Sequence, residues 1–238
     1  MTEALFRDDA YLKECTATVL AVTDRGGVVL DRTVFYPTGG GQPGDSGVLV
    51  WSGIEAPVAV AVKGDTPDEV VHVLPEGAPL PEVGAEVTLR LDWDKRYRHM
   101  RVHTGLHLLS VVIPLPVTGG QISAEKGRLD FDMPDAPEDK QALEDALNAL
   151  IAANHPVTDE WITDAELAAK PEIVKTMTVK PPMGQGRVRL VRIGGADQVD
   201  LQPCGGTHVA TTAEIGTVRL GKVEKKGKQN RRVSMLID

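Results

Sequence analysis

Two short stretches about a hundred residues apart each offer a pair of metal-ligating side chains at a spacing of four. The first is His103-Thr104-Gly105-Leu106-His107, and the second is Cys204-Gly205-Gly206-Thr207-His208. On a helix, residues i and i+4 stand one above the other on the same face, so His103 and His107 can aim two imidazoles at one ion. Two glycines inside the second pair suit a tight turn that presents ligands from a loop. Together the four side chains form an N/S set that suits tetrahedral zinc. A fold that uses all four must bring a helix near residue 105 against a loop near residue 206. His99 also lies four residues from His103, so spacing leaves the choice of helical pair open. Thr104 stands where the H-E-x-x-H metalloprotease pattern requires Glu, so that pattern is absent.

The chain before this helix reads as β-structure. Residues 14–23 alternate apolar and polar, Arg25-Gly26-Gly27 is a turn, and the following VVLDRTVFYP is the expected hairpin partner. Further short strands are expected within 47–62, 68–75 and 86–92, between Pro/Gly turns. Many short strands in about 90 residues predict a small β-barrel or sandwich. The composition changes at Trp93, where apolar residues take up helical spacing until Pro114. Beyond it the reading is a strand pair within 119–134, helices over 137–154 and 164–170, and strands over 157–162, 187–193, 198–202, 217–223 and 232–237. Mixed helices and strands in this order predict an α+β fold. The expected division is residues 1–92 and residues 93–238.

Aromatic residues make up only 4% of the chain, so Val, Leu, Ile and Ala must fill the core. The net charge of −8 argues against a generic nucleic-acid coat. Residues 1–92 carry 6 Lys+Arg and 15 Asp+Glu, however, and residues 93–238 carry 20 and 19, so the acidic excess belongs to the first part. Residues 219–232 hold seven Lys or Arg against one acid, Glu224, and Lys95, Arg96, Arg98 and Arg101 crowd the start of the long helix. Both sets suit phosphate contacts, and both also suit a solvated face. Two distant cysteines, Cys15 and Cys204, imply no disulfide framework and a reducing, cytoplasmic setting. The opening residues lack the pattern of a signal peptide, and no run reaches the length of a membrane span. The glycine-rich run 39–47 is followed neither by Gly-Lys-Ser/Thr nor by a helix pattern, so no nucleotide cofactor is expected.

HTGLHLL at 103–109 followed by PCGGTHV at 203–209 resembles the editing domain shared by alanyl- and threonyl-tRNA synthetases. Phe35 to Asp45, FYPTGGGQPGD, resembles the glycine motif of free-standing alanyl-tRNA editing proteins, and Lys226 to Val233, KGKQNRRV, is similar to the end of the same family. The resemblance implies an N-terminal β-barrel domain followed by an α+β editing domain, with a curved antiparallel sheet, helices packed on it, and zinc between helix and loop. It implies a hydrolase that removes serine, or glycine, from mischarged tRNA for alanine, in a medium-length form whose N-terminal domain restricts it to that tRNA. The implied metal ligands are His103, His107, Cys204 and His208. Thr104 and Leu106 are expected to line the amino-acid pocket, with Gly105 either leaving space there or allowing close helix packing. Glu125 and Lys126, in a turn where related domains place polar groups, join the catalytic candidates, although SAEKG lacks the expected Gln. Gly39, Gly40, Gly41, Gln42, Lys226, Lys228, Asn230 and Arg231 are the tRNA-contact candidates.

Zinc can polarise a carbonyl or lower the pKa of bound water, and either suits an activated ester. Four protein ligands, however, make a closed, structural type of site. Sequence leaves open whether one of the four is no ligand, the ion expands its coordination, or it only orders the pocket. Two other classes fit the same residues: a nucleic-acid-binding module with a structural zinc, and a metal-dependent hydrolase of small esters.

Overall fold

A computed structural model describes residues 1–66, 68–177 and 186–238. The chain divides into two compact units, Met1–Tyr97 and Arg98–Asp238, and the division falls inside the long helix α1 (Trp93–Val112).

The first unit is built on one antiparallel sheet. Its strands are β1 (Glu14–Val22), β2 (Gly27–Leu30), β3 (Gly47–Trp51), β4 (Ile54–Val58), β5 (Val60–Lys63), β6 (Val70–Val73) and β7 (Glu86–Leu91), in the order β4-β3-β7-β1-β2-β6-β5. Alternation along β1 buries Ala17 and Val19, then fails at exposed Ala21, where the β1–β2 register shifts between Val19 and Ala21. Such a bulge bends a strand and raises its twist. Val28, Leu30, Phe35, Leu49, Ala56 and Leu89 fill the core that the sheet curls around. Among the described residues no closed barrel is found where a small β-barrel or sandwich is expected. Edge strands β4 and β5 follow one another across Ala59, yet among the described residues no ladder joins them. Pro57 in β4 has no N–H to donate, which suits an edge.

The glycine segment is pinned into this unit. A Cβ on Gly44 would lie 1.9 Å from the carbonyl oxygen of Ala61, so only glycine fits there. Next to it, Asp45 accepts from the Tyr36 N–H at 2.5 Å and from Nε of Arg96 at 2.9 Å. Arg96 is fully buried and also donates to the carbonyls of Val34 and Ala10. This ion pair therefore removes Arg96 from any phosphate-facing surface.

The second unit lays α1 on a sheet of β8 (Val117–Ile122), β9 (Lys126–Asp132), β13 (Val218–Leu220) and β14 (Asn230–Ile237), in the order β8-β9-β14-β13, with Glu224–Lys225 also paired to β14. The helix approaches closely because glycines face it. A Cβ on Gly127 would meet Val102 and Leu106 at 2.7 and 2.9 Å, and one on Gly105 would meet Met235 at 2.6 Å. Helix α2 (Lys140–Ala152) begins later than the expected residue 137, because Asp139 caps it by accepting from the Ala142 N–H. Its Asn148 both donates to the Val218 carbonyl and accepts from the Val218 N–H, and Glu144 accepts from the Leu220 N–H. The helix thus covers the edge that β13 would otherwise expose. A third sheet runs β10 (Val157–Thr163), β11 (Arg187–Ile193), β12 (Asp200–Pro203), all antiparallel. One face packs Val188 and Leu190 on Leu167 of α3 (Asp164–Ala168), whose capping box joins Thr163 to Glu166. Among the described residues no helix is long and apolar enough to cross a membrane.

Candidate metal centre

Helix α1 and the loop after β12 meet at the four chemistry-bearing residues. The ligand atoms of His103, His107, Cys204 and His208 all lie within 4.8 Å of one another. The Cys204 sulfur is 3.5 Å from Nε2 of His103 and 3.3 Å from Nε2 of His208. These two sulfur–nitrogen separations match the edge of a tetrahedron built on bonds of about 2.0–2.3 Å, the lengths zinc makes to nitrogen and sulfur. His99, one turn earlier, is outside the cluster, which resolves the choice that spacing left open.

Each imidazole is oriented by its surroundings. Thr104 Oγ1 donates to the Met100 carbonyl at 3.0 Å, so it is an acceptor toward Nδ1 of His208 at 3.1 Å and toward the Val209 N–H at 3.3 Å. That bond places the His208 proton on Nδ1 and leaves Nε2 free to ligate. Asp200 does the same for His107, whose Nδ1 is 3.2 Å from Oδ2. Asp200 is itself held by Lys175 at 2.5 Å and Gln202 at 2.6 Å, and both of these also reach Ser110 Oγ. A carboxylate behind a ligating histidine fixes its tautomer and raises its basicity. Arg189 donates to the carbonyls of Cys204 and Gly206 at 3.2 and 3.0 Å and so fixes the loop.

The electrostatics centre on the Cys204 sulfur. Burial alone would raise the Cys204 thiol, but His103 and His208 hold it well below its ordinary value. Burial also opposes charge on His107, yet its bonds to Asp200 and Cys204 outweigh burial and lift it to about 9. Burial and the nearby His103 push His208 down to about 3. Burial would raise Asp200, but His107 and Lys175 keep it low. Cys204 thus supplies a half-buried thiolate, and the buried Asp200 carboxylate is met by Lys175 and His107, which would give up its Nε2 proton on ligating an ion. Three imidazoles and a thiolate are the donors that fit zinc.

The sequence has relatives among known proteins. The chain is 40% identical to "Alanyl-tRNA editing protein AlaX-M" of Methanosarcina acetivorans over 98% of both chains. The chain belongs to the AlaX family of alanyl-tRNA editing proteins. It is also 38% identical to an alanine–tRNA ligase of Pyrobaculum arsenaticum, across 94% of this chain and 25% of the ligase. An AlaX-L protein of Pyrococcus horikoshii is 35% identical, across 96% of this chain and 56% of that protein. Residues 188–234 match the family model "Threonyl and Alanyl tRNA synthetase second additional domain", and residues 4–95 match "tRNA synthetases class II (A)".

Within this AlaX-family chain the expected site residues separate into groups. Thr104 joins the four candidate ligands as the support of His208. Leu106 is buried with its side chain against Gly127. Gly105 serves close packing on Met235. Lys126 pairs with Leu236 one residue before Gly127, so strand alternation turns it to the sheet face away from α1. Glu125 is exposed at the β8–β9 turn. Gly40 and Gly41 form an exposed tip with φ of 56° and 85°, closed by paired bonds between Gly39 and Gln42, and the Gln42 side chain is buried. Lys226 and Lys228 are exposed, although Lys226 pairs with Glu224 at 2.6 Å. Asn230 donates to Thr118. Arg231 is buried and its guanidinium holds the carbonyls of Pro134, Gly227 and Asn230, so it is a structural residue and not a phosphate contact. Arg101 is likewise committed to the Ile215 carbonyl. Sequence reasoning missed Asp200, Gln202, Lys175, Ser110 and Arg189. Polar Asp200 and Gln202 at alternate positions of a strand entering the ligand loop were the available signal.

Proposed function

We propose that this chain is a zinc-dependent aminoacyl-tRNA deacylase that hydrolyses tRNA for alanine mischarged with serine, and also with glycine. The convergence of buried His103, His107 and His208 with half-buried Cys204, in a chain of the AlaX family, carries this reading. These four residues would hold the zinc. Bound there, zinc supplies Lewis acidity for the ester carbonyl or for water. The chain's own residues prepare the site: Thr104 and Asp200 fix the protons of His208 and His107 on Nδ1, and Arg189 keeps the Cys204–Gly206 loop in place. The glycine tip at 39–42 and the exposed cations Lys226 and Lys228 are the proposed tRNA contacts, and a reducing cytoplasm is the proposed setting.

The test is release of labelled serine from Ser-tRNA for alanine, beside glycine-, alanine- and threonine-charged controls, with zinc quantified in the same preparation. Fast loss of serine and glycine with alanine spared supports the reading. Equal hydrolysis of a free aminoacyl ester would instead favour a small-ester hydrolase, and full zinc occupancy without any deacylation would leave a structural metal on a binding module.

A further inference from the structure

The sheet β10-β11-β12 has one face packed on Leu167 and Ile173. The other face is divided. Toward one end it buries Val191, Ile193, Asp200 and Gln202, and Gln202 reaches Ser110 on α1. Toward the other end it carries Trp161, Arg187 and Arg189. Trp161 pairs with Arg189 across the ladder, and directly opposite residues share a face. Leu190 pairs with Pro203, so the next rung sets Arg189 opposite Cys204, and the Cys204 N–H donates to the Arg189 carbonyl at 3.1 Å. Trp161, Arg189 and Cys204 therefore stand on one rung and one face. Two strand spacings, roughly 10 Å, separate the Trp161 and Cys204 backbones, with Arg189 on the strand between them.

The indole is 42% exposed, in a chain with only three tryptophans. The Arg187 guanidinium lies 5.5 Å from the Trp161 ring centroid. An exposed aromatic ring beside a guanidinium is the pairing that holds unpaired nucleotides, the ring by stacking on a base and the cation by meeting phosphate or the ring face. The gap to Cys204 is about the length of a nucleoside. A base on Trp161 would set its ribose, which bears the ester, toward the ligand cluster.

We propose that Trp161 and Arg187 form a stacking platform for the terminal base of the unpaired 3′ end of aminoacylated tRNA. The inference rests on the deacylase reading for its substrate, and its test separates the two. Intrinsic fluorescence is titrated with uncharged tRNA for alanine, whole or lacking its last nucleotide. Whole tRNA should quench more than the shortened one, and the difference should vanish in Trp161→Phe. Equal quenching by both would overturn the platform, whether or not the protein deacylates. In the hydrolysis assay, Trp161→Ala should raise KM for Ser-tRNA roughly 5- to 150-fold, the equivalent of one lost stacking contact of about 1–3 kcal/mol, with kcat and zinc content retained. Trp161→Phe, which keeps an aromatic face, should recover most of that loss. An unchanged KM in Trp161→Ala overturns the proposal. Absence of hydrolysis by the wild-type protein defeats the deacylase reading instead and leaves the quenching experiment to decide the platform.

Discussion

Asp200 shows how much of this site depends on residues behind the ligands. Its carboxylate is buried, and it contacts His107, Lys175 and Gln202 at once. Asp200→Asn keeps the shape but removes the charge that fixes the His107 proton on Nδ1. Zinc affinity, measured by competition with a chromophoric chelator, should fall about 10- to 100-fold. Unaltered affinity would show that the carboxylate does not tune the ligand. His72 is the opposite case, a histidine kept neutral by its surroundings. It is wholly buried, its Nδ1 lies 3.0 Å from the Val28 carbonyl and its Nε2 lies 2.8 Å from the Thr33 hydroxyl. Burial pushes its pKa down to about 4 from 6.5, so the folded state resists a proton that the unfolded state accepts. Its contribution is complete above pH 6.5 and is lost as pH falls toward about 4, where the loss levels at about 3 kcal/mol. Urea unfolding at pH 7 and pH 4.5 measures this. His72→Gln should lose less stability between those two conditions than the wild type does, and equal losses would place the acid sensitivity elsewhere.

The elements are held together by close approach. Gly127 and Gly105 let α1 lie on β9 and β14, but the neighbours they admit differ. Gly127→Ala would press on branched Val102 and Leu106 from a strand, whereas Gly105→Ala would press on the flexible end of Met235. Overpacking of this kind costs about 1–3 kcal/mol, and Gly127→Ala should lower Tm more than Gly105→Ala. The reverse order would mean that the helix, not the strand, yields. The long helix and most strands of the second unit were legible because their apolar periods are strong and prolines or caps bound them. Thr163 with Glu166 is such a cap, whereas the Asp139 cap was hidden behind Pro137. Barrel closure was not legible: strand count and turn spacing are the same for a closed sheet and an open one, and the difference lies in pairing. The four clustered His and Cys residues were legible because residue type and spacing restrict them. Arg231 was misread because sequence shows a cation but not the three carbonyls around it.

Charge at the scale of the whole chain decides what can meet a polyanion. Residues 1–92 carry a net charge of −9 and the remainder +1, so attraction to RNA has to come from local clusters. Arg96, Arg101 and Arg231 are each committed to internal partners, and Arg232 is paired with Asp130 at 2.7 and 2.9 Å. What remains in the tail is exposed Arg219, which lies 3.9 Å from the Asp238 carboxylate, and exposed Lys222, Lys225, Lys226 and Lys228. Each phosphate contact that is lost should reduce the slope of log affinity against log salt by about 0.7–0.9. Lys228→Ala should give such a reduction in tRNA binding. Lys226→Ala should give a smaller one, because Glu224 already draws on that charge. Arg231→Ala should leave the salt slope unchanged and instead lower the unfolding free energy by about 2–3 kcal/mol, since three carbonyls lose their donor. Titrations at several salt concentrations, with thermal unfolding of the same variants, separate the two kinds of cation. A salt slope that responds to Arg231 but not to Lys228 would place the RNA surface away from the exposed lysines.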